Sequence, residues 1–129
     1  MSIFTKIVAG EIPSYKIAED DLFFAFLDIN PNAKGHTLVI PKKETNKLFD
    51  LDKEAYVELM KFSYRVAKAL EKAIPCKRIG MSVIGLEVPH VHVHLIPINV
   101  MDDMRFSKKE KLSSEEFVAL SNLIAENFE

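Results

Sequence analysis

The chain of 129 residues has one cysteine, no tryptophan, four glycines and no excess of positive charge. Cys76 alone cannot form an internal disulfide, so a cross-linked scaffold is excluded. Seventeen basic against nineteen acidic side chains give a net charge of -2 and a pI near 6.1. A nucleic-acid polymer is therefore not an expected partner, because its backbone needs a positive field. No run approaches the roughly 20 apolar residues that cross a bilayer, so no membrane partner is expected either. The opening residues also lack the apolar stretch of a secretory signal, which points to a cytoplasmic setting. With 48% hydrophobic and 28% charged residues, the composition suits a single conventional domain over residues 1–129.

Local patterns divide the chain. Apolar residues at 3, 4, 7 and 8 predict a short helix ending near Gly10. Tyr15–Glu19 and Leu22–Asp28 suit two strands joined by an acidic turn, and His36–Ile40 a third, halted by Pro41. Lys53 to Ala73 repeats apolar residues at 55, 59, 62, 66, 69, 70 and 73 without Gly or Pro, which is helical spacing. Asp50 or Asp52 can cap its start. Strands over Arg78–Ile84 and Val91–Ile96 follow, and then a helix from Ser113 or Ser114. Strands gathered around one long helix predict an α+β fold.

Chemistry is concentrated in Pro89-His90-Val91-His92-Val93-His94-Leu95-Ile96, which holds three of the four histidines. On a strand these alternate residues share one face, about 6.6 Å apart, while the valines and Leu95 turn to the core. Two chemistries use such a row. A transition metal is one, although the outer pair stand about 13 Å apart, so at most two of the three could reach one ion at about 2.1 Å per bond. Action on a phosphate is the other. Imidazole titrates near neutrality, attacks as a free base and leaves readily, and its neighbours donate hydrogen bonds to phosphoryl oxygens.

The string His90 to Ile96 resembles the His-φ-His-φ-His-φ-φ signature, φ being hydrophobic, of the histidine triad (HIT) superfamily. The likeness extends to Ile3-Phe4-Thr5-Lys6-Ile7 with Glu11-Ile12-Pro13, to Ala25-Phe26-Leu27-Asp28-Ile29, and to Gly35-His36-Thr37-Leu38-Val39-Ile40-Pro41-Lys42, in the order of the Hint-like branch. It implies a five-stranded antiparallel sheet with one long helix and short terminal helices, paired into a homodimer. It also implies hydrolysis of a purine nucleotide phosphoramidate, AMP-type, through a nucleotidyl-histidine intermediate, without cofactor or metal. Dinucleoside polyphosphate hydrolysis and nucleotide binding without turnover are the alternatives. By the same resemblance His92 is the nucleophile, oriented by the His90 carbonyl. His94 contacts the phosphate or leaving group, and the side chains of His90 and His36 support each other. Asp28 holds the ribose, and Phe4, Ile12, Phe26 and Ile29 wall the base.

Three departures stand out. Ser2 and Thr5 occupy places where many bacterial relatives carry zinc-binding cysteines, so no structural zinc is expected. Leu86 and Glu87 precede the triad where a glutamine and a small hydroxyl residue are usual, so the phosphate cradle is altered. The segment from Ile98 to Arg105 carries none of the residues that typify other branches.

Overall fold

The computed structural model describes residues 1–129. Its elements are α1 (Ile3–Val8), β1 (Lys16–Glu19), β2 (Phe23–Leu27), β3 (Thr37–Pro41), α2 (Lys53–Ala73), β4 (Arg78–Ser82), β5 (Val93–Ile98) and α3 (Ser114–Glu126). Two 3-10 turns, Leu48–Asp50 and Met101–Met104, were not foreseen. The five strands form one antiparallel sheet in the order β1-β2-β3-β5-β4. This is the α+β architecture expected, with one long helix and a short helix toward each end.

Local chemistry sets the limits of these elements. The Asp52 carboxylate accepts the Ala55 N–H at 2.7 Å and starts α2. Ser113 and Glu116 form a reciprocal capping box at α3. Asp20 turns the first hairpin by accepting the N–H groups of Leu22 and Phe23. The expected strand from Val91 begins only at Val93. Two backbone bonds cause the delay: His90 N–H turns back to Val88 O, and Val91 N–H goes to Thr45 O instead of a ladder partner. At the other end of that connection Gly85 has φ +73°, and β4 stops at Ser82 rather than Ile84.

Alternation on the strands makes two cores. Phe23, Ala25, Leu27, Val39, Val93 and Leu95 pack on the helix side with Leu59, Phe62, Val66 and Leu70 of α2. Phe24, Phe26, Leu38 and Ile40 turn the other way and pack under Phe4 of α1. Both faces of β2 and β3 are buried, so those strands read as continuous apolar runs. His94 and His36 lie toward the α1 side of the sheet. Gly35, at φ +94°, permits the tight entry into β3, where an added Cβ would stand 2.1 Å from Ile74 Cδ1.

Candidate active site

All four histidines are buried, and their hydrogen bonds assign their protons. His92 Nδ1 lies 2.7 Å from the backbone carbonyl of His90. A carbonyl only accepts, so Nδ1 carries the hydrogen and the neutral ring has a bare Nε2. The Phe4 ring meets His92 edge-on at 5.0 Å between centroids and limits its rotation.

A second chain of bonds starts in the loop before β3. The Asn32 N–H donates to His36 Nδ1 at 2.9 Å, so the neutral His36 ring holds its hydrogen on Nε2. That Nε2–H donates to His94 Nδ1 at 3.0 Å, and the hydrogen of His94 is thereby placed on Nε2. The rings of His92 and His94 are 4.9 Å apart. A nitrogen lone pair and an N–H donor thus stand side by side. Burial pushes His36 down to about 3 and His94 down to about 4, with neighbouring positive charge adding to the effect. Both rings are neutral in the physiological range.

His90 belongs to a different cluster. Its Nε2–H donates to Pro41 O at 2.8 Å, which leaves Nδ1 to accept the Ser2 hydroxyl at 2.6 Å. The expected mutual support of His90 and His36 is therefore corrected: His36 pairs with His94, and His90 pairs with Ser2 and Pro41. The reason lies in the backbone, since His90 precedes the ladder and is turned toward α1, while His94 sits inside the ladder opposite Leu38. Ser2 also caps α1 by accepting the Thr5 N–H. Glu44 accepts the Ser2 N–H at 2.6 Å and the Thr5 hydroxyl at 2.7 Å, and these bonds hold its carboxyl down to about 2. Ser2 and Thr5 thus tie α1 to the loop after β3 through oxygen donors and acceptors.

The candidate nucleotide wall divides. Phe4 and Phe26 are buried and meet edge-to-face at 5.7 Å. Ile12 is half-buried, whereas Ile29 is 70% exposed. Asp28 lies beside the histidines, with Oδ2 3.6 Å from His36 Nε2, and burial pushes its carboxyl up. Its Oδ1 accepts the Asn30 N–H at 2.8 Å. Leu86 and Glu87 are both exposed, and Glu87 makes no hydrogen bond or ion pair.

Facing atoms of Asp28, His36 and His94 fall within 4.8 Å of one another, close enough for a divalent ion. The proton count opposes this. His36 Nδ1 already accepts the Asn32 N–H, so a neutral ring must keep a hydrogen on the Nε2 that an ion would need. The three groups are a hydrogen-bonding set in which His36 serves His94.

Sequence reasoning missed Phe106 and Lys109. Phe106 meets His94 edge-on at 4.8 Å and His36 at 6.1 Å. Lys109 reaches Asn30 O at 3.1 Å and Asn32 Oδ1 at 3.0 Å, next to Asp28. The only available signal was an aromatic residue set among the bases of Arg105-Phe106-Ser107-Lys108-Lys109.

Comparison with known proteins is consistent with this geometry. A model of the HIT domain matches residues 9–101. An uncharacterized HIT-like protein of Borreliella burgdorferi is 39% identical over 134 residues, covering 97% of this chain and 96% of its own. The adenosine 5'-monophosphoramidase HNT1 of Saccharomyces cerevisiae is 43% identical over 96 residues, covering 74% of this chain and 61% of the yeast protein. Among solved structures, a Hit-like protein of Bartonella henselae superposes with a TM-score of 0.87 at 33% identity, over 98% of this chain and 96% of that one.

Proposed function

The chain belongs to the HIT family, and on that footing we propose that it is a purine nucleotide phosphoramidase that works through a covalent nucleotidyl-His92 intermediate. The observation that carries this is the pairing of His92 Nε2, the free nitrogen of the neutral ring, with the Nε2–H of His94, each tautomer selected by a bond on the far side of its ring. The similarity to the yeast phosphoramidase supports the substrate class.

In this reading His92 Nε2 attacks the α-phosphorus of an adenosine phosphoramidate. An N–P bond forms, the bond to the amine breaks, and the amine takes its proton from solvent. The His90 carbonyl stabilises the phosphorylated imidazolium through the Nδ1–H. His94 donates its Nε2–H to a phosphoryl oxygen or to the departing amine. Water then attacks the same phosphorus, AMP leaves, and His92 is restored. Asp28 accepts the ribose hydroxyls. Phe4, Phe26, Ile12 and Ile29 form the base wall, with Ile29 the side chain that a bound base would cover.

We place one HIT domain over residues 1–129, two copies to a dimer, and the protein in the cytoplasm. β4 is an edge strand with Met81 exposed, and Tyr64 and Val57 of α2 are exposed as well, which supports a pairing face there. No helix is long and apolar enough to cross a membrane. Steady-state release of AMP from adenosine 5'-phosphoramidate tests the activity. Turnover that His92→Ala abolishes is expected. Tight AMP binding with no turnover would favour a binding module instead, and faster cleavage of dinucleoside polyphosphates would move the assignment to that substrate. A sedimentation mass near that of one chain would contradict the dimer.

A further inference from the structure

The segment after β5 is held down at many points. Asp103, itself buried, accepts the N–H groups of Asn99 and Val100 at 2.8 and 3.1 Å and pairs with Lys108. Its carbonyl accepts the buried Asn32 amide at 3.1 Å. Farther on, Glu110 N–H donates to Pro31 O at 2.8 Å. These bonds fasten residues 99–110 across the loop that carries Asp28, Asn32 and His36. Phe106 lies within the fastened span.

The placement of Phe106 is specific. Its ring meets His94 at 4.8 Å and His36 at 6.1 Å, both at steep angles, and Lys109 Nζ stands 5.3 Å from its centroid. Beneath it His36 is wholly inaccessible and His94 nearly so. The bond between the two rings tolerates only one proton. If His94 were doubly protonated, its Nδ1–H would oppose the Nε2–H of His36 across 3.0 Å. The second proton would leave the Nε2–H of His94 in place but break the bond from His36 that aims it, so the chain from Asn32 to His94 holds only while His94 stays neutral.

We propose that Phe106 is a positioning residue that keeps water from the His36 and His94 pair and so preserves the single donor state of His94. The inference rests on the assignment of His94 as a donor to substrate. Phe106 itself touches no reacting atom. The charged and titratable groups facing His94 are His92, His36, the Asp28 carboxylate and the Lys109 ammonium. Lys109 opposes a second proton on His94 and Asp28 favours one, so an apolar cover has to supply what these opposing charges do not. Its burial already holds His94 at about 4.

The test is an NMR titration of the histidine rings, read beside the pH profile of phosphoramidate hydrolysis, in the full chain. In Phe106→Ala the His94 midpoint should rise by more than one unit toward the ordinary 6.5. A His94 that titrates at 6.5 is only about one-tenth neutral at pH 5.5. The activity of Phe106→Ala relative to the unaltered protein should then fall between pH 8 and 5.5 by the factor its measured midpoint sets, about two-fold for a midpoint at 5.5 and about ten-fold for one at 6.5, a ratio in which other shared titrations cancel. Phe106→Leu, which keeps an apolar cover, should restore both properties. An unchanged His94 midpoint in a folded Phe106→Ala protein would overturn the inference even with the enzyme active. So would failure of both variants to fold, since Phe106 would then be a structural residue. Absence of turnover in the unaltered protein would overturn the phosphoramidase assignment alone, because the ring titration does not depend on it.

Discussion

Lowering the pH from 7 to 5 should remove about 4 kcal/mol of folding stability through His36 and His94 alone. Both rings are buried, at 0% and 8% exposure, and are held to about 3 and about 4 in the folded chain. In the unfolded chain they titrate near 6.5. Below that value the unfolded state binds protons that the folded state refuses, so acid pulls the equilibrium toward unfolding. Each pH unit is worth about 1.4 kcal/mol per group, and the one and a half units from 6.5 to 5 come to about 2 kcal/mol for each ring. His90, also pushed down by burial, acts in the same direction. The salt-bridged or hydrogen-bonded carboxylates Glu19, Glu44 and Asp103 are held near 2, so their contribution is present above their unfolded values and is lost only as the pH falls below about 4.5. Asp28, whose carboxyl burial pushes up, works in the opposite sense by taking its proton more readily in the folded chain, so the histidines set the sign of the change between pH 7 and 5. Urea unfolding at 25 °C and fixed ionic strength measures the change, and His36→Gln should lose about half of the pH dependence. Equal stability at the two pH values, within about 1 kcal/mol, would refute the claim that these rings are kept neutral.

Two substitutions probe the supports of the site. Ser2→Ala removes both the cap of α1 and the donor to His90 Nδ1; it should cost about 1–3 kcal/mol, read as a lowered urea midpoint, and should lower kcat more than KM as the His90 carbonyl loses its fixed position. Gly35→Ala places a Cβ 2.1 Å from Ile74 Cδ1 at a φ of +94°; thermal unfolding should show a loss of roughly 2 kcal/mol or more, because the backbone is strained for any L side chain and the contact forces Ile74 to move.

Much of the fold was legible because its signals are local. The apolar spacing from Ala55 to Ala73 marks α2 over Lys53–Ala73, and of the two capping candidates, Asp50 and Asp52, it is Asp52 that caps it. The alternation of histidine with valine and leucine marks the two faces of β5 from Val93 onward. The start of that strand was not legible, since it depends on where the Val91 N–H finds a partner, and that partner, Thr45, lies in a distant loop. The pairing of the histidines was hidden for a similar reason. Which imidazole meets His36 is decided by the antiparallel register of β3 against β5, and which nitrogen holds the hydrogen is decided by one backbone N–H at Asn32. Neither leaves a mark on composition or spacing. Phe106 escaped notice because its contact to His94 arises from the folding back of residues 99–110 onto the Asn30–Asn32 loop.

The central claim is that His92 carries the nucleotide during turnover. Because the P–N bond of a nucleotidyl-histidine hydrolyses in acid and survives alkali, quench into alkaline denaturant within the first turnover of adenosine 5'-phosphoramidate, followed by peptide mass spectrometry without acidification, examines it directly. An adenylyl group on His92 itself, assigned by fragmentation of the peptide that also holds His90 and His94, formed and lost at rates compatible with steady-state turnover and absent from His92→Ala, is the predicted result. Full turnover with no adenylyl group on any histidine, or with the group on His90 or His94, would contradict it.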